Sequence, residues 1–137
     1  LKKRVNFLEE TFALLKLENI TAIHGRAEEF AKNKAYREQY DLCVSRAVSN
    51  LATLSEYCLP YVKVGGNFIS YKSGTVQEEL QQAEKAVKIL GGKIQDVVYF
   101  NLPDSEIQRS LVVIEKMKPT PGRYPRKAGT PLKEPLS

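Results

Sequence analysis

The order of hydrophobic patterns along the chain constrains its fold more than any other feature. Apolar residues at helical spacing alternate with short runs of β-branched and aromatic residues, and two such runs follow one another near the end. This alternation is typical of α/β domains, in which helices connect parallel strands. The 137 residues are therefore expected to form one α/β domain with a mainly parallel sheet and an antiparallel C-terminal hairpin.

The same patterns predict the individual elements. Helices are expected over residues 3–17, 27–32, 51–62 and 75–90, and strands over residues 20–24, 40–46, 67–71, 93–101 and 109–116. Pro60 and the Gly65-Gly66 pair are expected to end the third helix. The short loop around Pro103 favours an antiparallel pairing of the last two strands.

The charge of the chain is concentrated at its end. Residues 1–115 contain fifteen cationic and fifteen acidic residues, so the net charge of +5 arises within residues 116–137, which also hold five of the seven prolines. The prolines predict an extended or turn-rich segment. Its cations are attracted to phosphates, and Tyr124 could stack on an unpaired base. A flexible basic terminus without a specific partner is the alternative.

The composition excludes several classes of protein. No apolar run approaches the roughly 20 residues of a membrane span, and no secretory signal is visible. The two cysteines lie fifteen residues apart beside a single histidine, too few ligands for a zinc site and too few cysteines for a disulfide scaffold. We expect Cys43 and Cys58 to be buried, reduced thiols of a cytoplasmic protein.

Three polar segments follow predicted strands, at residues 24–30, 45–47 and 72–74. Ligands of open α/β sheets bind beyond the carboxyl ends of the strands, so these segments could line a shared crevice. Helix capping and solvated lysines are the alternative explanation. The sequence contains no GxGxxG or GKS/T phosphate loop and no convincing catalytic triad or acid and base pair. The residues alone leave the function open.

Four segments nevertheless carry a resemblance to a known family. They read KRVNFL at residues 3–8, HGRAEEF at 24–30, SRAV at 45–48 and YPRKAGTP at 124–131. Together they resemble the bacterial small-subunit ribosomal RNA guanine-N7 methyltransferases, also called glucose-inhibited division protein B. The resemblance covers essentially the whole chain, and the last segment is its most specific part.

The resemblance implies a Rossmann-like, class I methyltransferase that transfers a methyl group from S-adenosylmethionine to N7 of a guanine in 16S ribosomal RNA. It places Ala27, Glu28 and Arg46 at the cofactor. It also implies an RNA-facing set, consisting of Arg26, Lys72, Arg123, Arg126 and Lys127. No metal site is expected. No catalytic residue is assigned, because guanine N7 has a lone pair and no proton, so the enzyme chiefly needs to align it with the methyl group and the leaving sulfur.

The implied partner is 16S ribosomal RNA or the small ribosomal subunit. The resemblance also implies that the protein is a monomer and acts in the cytoplasm. A non-catalytic RNA-binding α/β module, in which only the basic end binds RNA, is the alternative function. An α/β domain that binds some other nucleotide is a third hypothesis for the function.

The resemblance also implies how the chain is organised. Residues 1–118 correspond to the C-terminal portion of the methyltransferase domain, and residues 119–137 to a basic, proline-rich segment packed on or near the active site. The family's first two strands, with their glycine-rich loop, are missing and would lie between the strands at residues 20–24 and 40–46. We therefore expect a longer parent protein, an open middle of the sheet, and weak binding of S-adenosylmethionine by these 137 residues alone.

Overall fold

The computed structural model describes residues 1–46 and 49–137. The helices are α1 (Lys2–Leu14), α2 (Ala27–Phe30), α3 (Leu51–Cys58), α4 (Gln77–Ile89) and α5 (Thr130–Lys133), with a 3-10 turn at Leu59–Tyr61. The strands are β1 (Tyr40–Arg46), β2 (Val62–Ser73), β3 (Gly92–Asn101) and β4 (Gln108–Lys116). None of the helices in this described part of the chain combines the length and apolar character that a bilayer crossing requires.

The four strands form one mixed sheet in the order β1-β2-β4-β3. Strands β1 and β2 are parallel, whereas β4 is antiparallel to both β2 and β3. The α/β class and the C-terminal hairpin are thus confirmed, while the parallel part of the sheet is a single pair. Strand β1 lies at the end of the sheet, and no described strand pairs with its outer edge.

The predicted strand at residues 20–24 is wrong. These residues have no regular secondary structure, and Ile20 and Ile23 are each 48% exposed. A β-branched run becomes a strand only when a neighbouring strand pairs with its main chain and covers its side chains. Among the described residues, nothing supplies that pairing.

The third helix ends earlier than expected, because its last turn is the 3-10 turn and Val62 already belongs to β2. The Gly65-Gly66 pair lies inside β2, where the register with β1 shifts between Tyr40 and Leu42. A Cβ atom at Gly66 would come within 2.6 Å of the Asp41 carbonyl oxygen. This glycine therefore permits a close approach of two strands and does not end a helix.

Helices α3 and α4 cover one face of the sheet, which we call the helix face. Phe68, Val112 and Ile114 project from β2 and β4 into the core on this side and are fully buried. Cys58 is buried there, and Cys43 is half-buried; both thiols are free. The opposite or open face is only partly covered, and helix α1 contains no buried residue.

Candidate active site

An apolar pocket of about 480 Å³ lies between the region of α2 and strand β1. Ala27 lines it together with the aromatic rings of Phe30, Tyr36, Tyr40 and Tyr61. The Phe30 and Tyr36 rings meet edge to face, with their centroids 5.5 Å apart. Aromatic walls of this kind suit a flat, largely apolar ring system.

Tyr61 connects the two sides of this apolar pocket. Its hydroxyl donates a hydrogen bond to the Ala27 carbonyl oxygen. Burial is the main cause that raises the pKa of Tyr61, to about 12. The phenol therefore stays protonated at neutral pH and remains a hydrogen-bond donor that holds α2 against the end of α3.

A second cavity, of about 600 Å³, lies on the open face at the carboxyl ends of β1 and β2, and we call it the basic cavity. Strand register brings its lining together. Arg46 is opposite Tyr71, and Arg109 is opposite both Ser73 and Phe100. None of the described residues that line the cavity is acidic. Two guanidinium groups beside two aromatic rings can bind an anionic ligand that contains a planar ring.

Lys72 borders this cavity, but its ammonium group points into the protein. Its side chain is 6% exposed, and Nζ lies 2.6 Å from Glu79 Oε2. Nζ also donates to the Ser49 carbonyl oxygen at 2.8 Å, while the same carboxylate accepts the Leu51 N–H at 2.7 Å. Lys72 thus connects β2 to the start of α3, and an RNA contact would require it to leave these partners.

Residues 119–137, the terminal segment, fold back onto the body of the domain. The Arg37 guanidinium donates to the carbonyl oxygens of Thr120 at 2.9 Å and Tyr124 at 2.7 Å. Thr120 Oγ1 donates in turn to the Leu90 carbonyl oxygen at 2.6 Å. Tyr124 is only 7% exposed and belongs to the hydrophobic core. The turn-rich prediction is confirmed, with α5 as a short helical addition.

Glu56 attaches the terminal segment through an ion pair. It projects from α3, is fully buried, and accepts hydrogen bonds from Arg126 Nε at 3.0 Å and Nη2 at 2.8 Å. The Arg126 main-chain N–H donates to the same carboxylate at 2.9 Å. The hydrogen bonds to Glu56 are the main cause that raises the pKa of Arg126 above its ordinary value. Arg126 is therefore held by the protein itself.

Glu28 is a second buried carboxylate that holds the terminal segment. Its Oε1 accepts the Gly129 N–H at 3.0 Å, and the residue is only 4% exposed. Arg26 Nη2 lies 3.9 Å from the same oxygen, with a side chain that is 59% exposed. The side chain of Glu28 is thus directed toward the terminal segment, whereas Ala27 is the residue that lines the apolar pocket.

The structure separates the predicted site residues into two groups. Arg26, Arg46, Arg123 and Lys127 are exposed. Lys72, Glu28 and Arg126 are held in internal contacts. Ala27 and Arg46 line different cavities. Ala47 and Val48, which complete the SRAV segment, lie outside the described residues.

Several residues of the site could not be recognised along the chain. Arg109 lies at the start of β4, and Phe100 lies near the end of β3, so neither belongs to the three polar segments that follow predicted strands. The antiparallel order of β4 brings the start of that strand to the carboxyl end of β2. The predicted hairpin was the feature that could have identified Arg109. In the described part of the chain, no three His, Cys, Asp or Glu residues are placed to hold a metal ion.

The model of the family described as rRNA small subunit methyltransferase G matches residues 1–112. The chain belongs to this family. The protein named ribosomal RNA small subunit methyltransferase G from Lachnoclostridium phytofermentans is 56% identical over 136 residues, which cover 99% of this chain and 56% of the relative. The protein of the same name from Clostridium tetani is 51% identical, with coverages of 99% and 57%. The chain spans about half the length of these curated relatives.

Solved structures confirm the class I methyltransferase fold of this member of the rRNA small subunit methyltransferase G family. An rRNA methylase from Streptococcus thermophilus has a TM-score of 0.52 and 17% identity, over 80% of this chain and 65% of that one. A mutant of MtNAS has a TM-score of 0.57 and 13% identity, over 86% of this chain and 42% of that one. The family model ends at residue 112, whereas the two relatives align over 99% of the chain and so include the terminal segment.

Proposed function

We propose that the protein to which this chain belongs transfers a methyl group from S-adenosylmethionine to N7 of a guanine in 16S ribosomal RNA. Membership of the rRNA small subunit methyltransferase G family is the observation that carries this proposal. Over nearly the whole length of the chain, the relatives are identical to it at about half of the aligned positions. The family match argues against the alternative of a non-catalytic RNA-binding module.

The apolar pocket fits the adenine ring of S-adenosylmethionine. It is lined by Ala27 and aromatic rings, which provide flat apolar contacts. Arg46 would hold the cofactor from the end of β1, as the resemblance implies. The Glu28 carboxylate already binds the Gly129 N–H, so a contact from residue 28 would come from its main chain. When bound, S-adenosylmethionine supplies an activated methyl group.

The basic cavity fits the target nucleotide. Tyr71 and Phe100 would contact the base, and Arg109 would bind a neighbouring phosphate. The exposed Arg26, Arg123 and Lys127 would bind phosphates farther along the RNA. Guanine N7 carries a lone pair and no proton, so these residues need only hold the base in line with the methyl group. We propose a monomer that acts on 16S ribosomal RNA, or on the small subunit, in the cytoplasm.

The direct test is methyl transfer to 16S ribosomal RNA by the purified natural protein. With S-adenosylmethionine labelled in its methyl group, we expect label in the RNA and 7-methylguanosine among the nucleosides after digestion. RNA that contains 7-deazaguanine lacks the attacking nitrogen and should accept no label. Label at another base, or none in RNA that the protein binds, would contradict the proposed reaction.

Replacement of Arg46 by alanine should weaken cofactor binding. Loss of a hydrogen bond from a charged donor costs about 1.5–3 kcal/mol, so the Kd of S-adenosylmethionine should rise roughly tenfold or more. Isothermal titration calorimetry measures this change. Lys93→Ala, an exposed change on β3 outside both cavities, is the matched control. Equal Kd values for Arg46→Ala and the control would remove Arg46 from the cofactor site.

A further inference from the structure

Arg126 makes two kinds of contact with one buried carboxylate. Its guanidinium forms a bidentate pair with Glu56, and its main-chain N–H donates to the same group. Nη2 also donates to the Glu134 carbonyl oxygen at 2.6 Å. An arginine bound in this way has few donors left for a phosphate.

The chain on both sides of Arg126 is fastened as well. On one side, Arg37 holds the carbonyl oxygens of Thr120 and Tyr124. On the other, Glu28 binds the Gly129 N–H, and Thr53 Oγ1 donates to the Pro131 carbonyl oxygen at 3.0 Å. The stretch from Thr120 to Pro131 is therefore fixed at several points.

Two exposed cations lie within this fixed stretch. Arg123 extends over the Tyr124 ring, with its guanidinium carbon 5.2 Å from the ring centroid. Lys127 follows directly after Arg126 and is exposed. Arg26 reaches the same region, since its Nη2 lies 4.0 Å from the place that a Cβ atom at Gly129 would occupy. The attachment thus brings Arg26 close to the segment that carries Arg123 and Lys127.

We infer that Glu56 is a positioning residue for RNA binding. It fastens the terminal segment through Arg126, so that the exposed cations Arg123 and Lys127 are held in fixed positions from which they bind RNA phosphates. Arg126 acts as the latch of this arrangement and not as a phosphate contact. The inference rests on the proposed function, and it concerns a segment that lies beyond the family model but within the alignment to the curated relatives.

The burial of Glu56 favours its pairing with Arg126. A carboxylate without a partner is strongly disfavoured in the protein interior, and Glu56 is 0% exposed. Arg126 supplies the charge and the geometry that compensate for this burial. Preorganised cations bind phosphates more tightly than mobile ones, because less conformational entropy is lost on binding.

The test uses Glu56→Gln in the natural full-length protein. The amide keeps the size of the side chain but cannot accept both guanidinium hydrogen bonds. We expect the KM for 16S ribosomal RNA to rise about tenfold, which corresponds to about 1.4 kcal/mol. The kcat at saturating RNA and the Kd of S-adenosylmethionine should change less than twofold. Trypsin should cleave after Lys127 faster than in the unaltered protein.

A double-substitution comparison separates positioning from a merely structural role. In the unaltered background, Arg123→Ala with Lys127→Ala should raise the KM for RNA without faster cleavage elsewhere in the segment. In the Glu56→Gln background, the same two changes should add less than twofold, because cations that are no longer held contribute little. If the changes in KM from Glu56→Gln and from the two cation substitutions multiplied independently, the inference would be overturned. It would also be overturned if trypsin cleaved the terminal segment of the Glu56→Gln variant faster but the KM for RNA stayed unchanged.

A second variant is needed if the terminal segment stays attached in Glu56→Gln. Arg126→Glu places two carboxylates together and should release the segment. An unchanged KM for RNA after this release would also overturn the inference. If the unaltered protein transfers no methyl group to RNA, the proposed function fails instead. In that case RNA affinity, measured by filter binding, replaces the KM in the same comparison.

Discussion

Replacement of Lys116 by methionine is expected to lower the free energy of unfolding by about 3 kcal/mol. Lys116 is fully buried, and its Nζ donates to the carbonyl oxygens of Leu59 at 2.7 Å and Val62 at 2.9 Å. The ammonium also pairs with Glu38 at 3.3 Å. Methionine fills a similar volume but removes the ammonium group from two buried carbonyl oxygens and from the Glu38 carboxylate.

Chemical denaturation monitored by circular dichroism measures this change. Lys118→Met, an exposed substitution two residues along the chain, is the matched control and should stay within about 0.5 kcal/mol of the unaltered protein. Burial is the main cause that lowers the pKa of Lys116, yet the hydrogen bonds and Glu38 favour its charged form. If Lys116→Met and Lys118→Met proved equally stable, the ammonium group would have no structural role.

The second large effect is expected in the basic cavity, on methyl transfer. Changing both Tyr71 and Phe100 to leucine should lower kcat/KM for RNA by roughly 100-fold, because stacking of a base on an aromatic ring contributes about 1–3 kcal/mol per base. The two rings line the same cavity on the open face. The Kd of S-adenosylmethionine should be nearly unchanged, since the aromatic rings of the apolar pocket are different ones.

Tyr99→Leu is the control for these two changes. Tyr99 is 41% exposed, close to the 39% of Phe100, but it pairs with Ser110 and so projects from the other side of β3. Tyr99→Leu thus matches the loss of the Phe100 ring from β3, on the other side of the sheet. A rate for the Tyr71 and Phe100 variant that equals the rate of Tyr99→Leu would exclude the basic cavity as the site of the target nucleotide.

Local patterns were sufficient to predict most elements of the fold. The helical spacing of apolar residues in α4 and the apolar runs of the last two strands each appear within about ten to fifteen residues of sequence. The short loop between those strands defines their pairing. The run at residues 20–24 had an equally clear pattern and failed, because a strand requires a neighbour that no local pattern can guarantee. The glycine pair at residues 65 and 66 was misassigned for a similar reason: its role depends on the approach of Asp41.

The contacts of the terminal segment show what sequence reasoning could not reach. Its cations were recognisable, but Arg126 was grouped with Arg123 and Lys127 although only Arg126 meets a buried carboxylate. Glu56 and Arg126 are 70 residues apart, and nothing near either residue indicates the other. The resemblance implies that Lys72 lies on the RNA side, whereas the alternation of β2 directs its side chain toward α3. Such pairings become visible only when distant elements are brought together.

The outer edge of β1, with which no described strand pairs, has a consequence for how these 137 residues behave in solution. An edge strand presents a row of free main-chain donors and acceptors, and a second chain can extend the sheet there. Leu42 and Val44 on this strand are 53% and 55% exposed, so apolar contact would reinforce such an addition. Nothing on the strand opposes it except Asp41 and Arg46, at either end. Aggregation of this polypeptide should therefore begin at β1, and its onset should depend on protein concentration as well as on temperature.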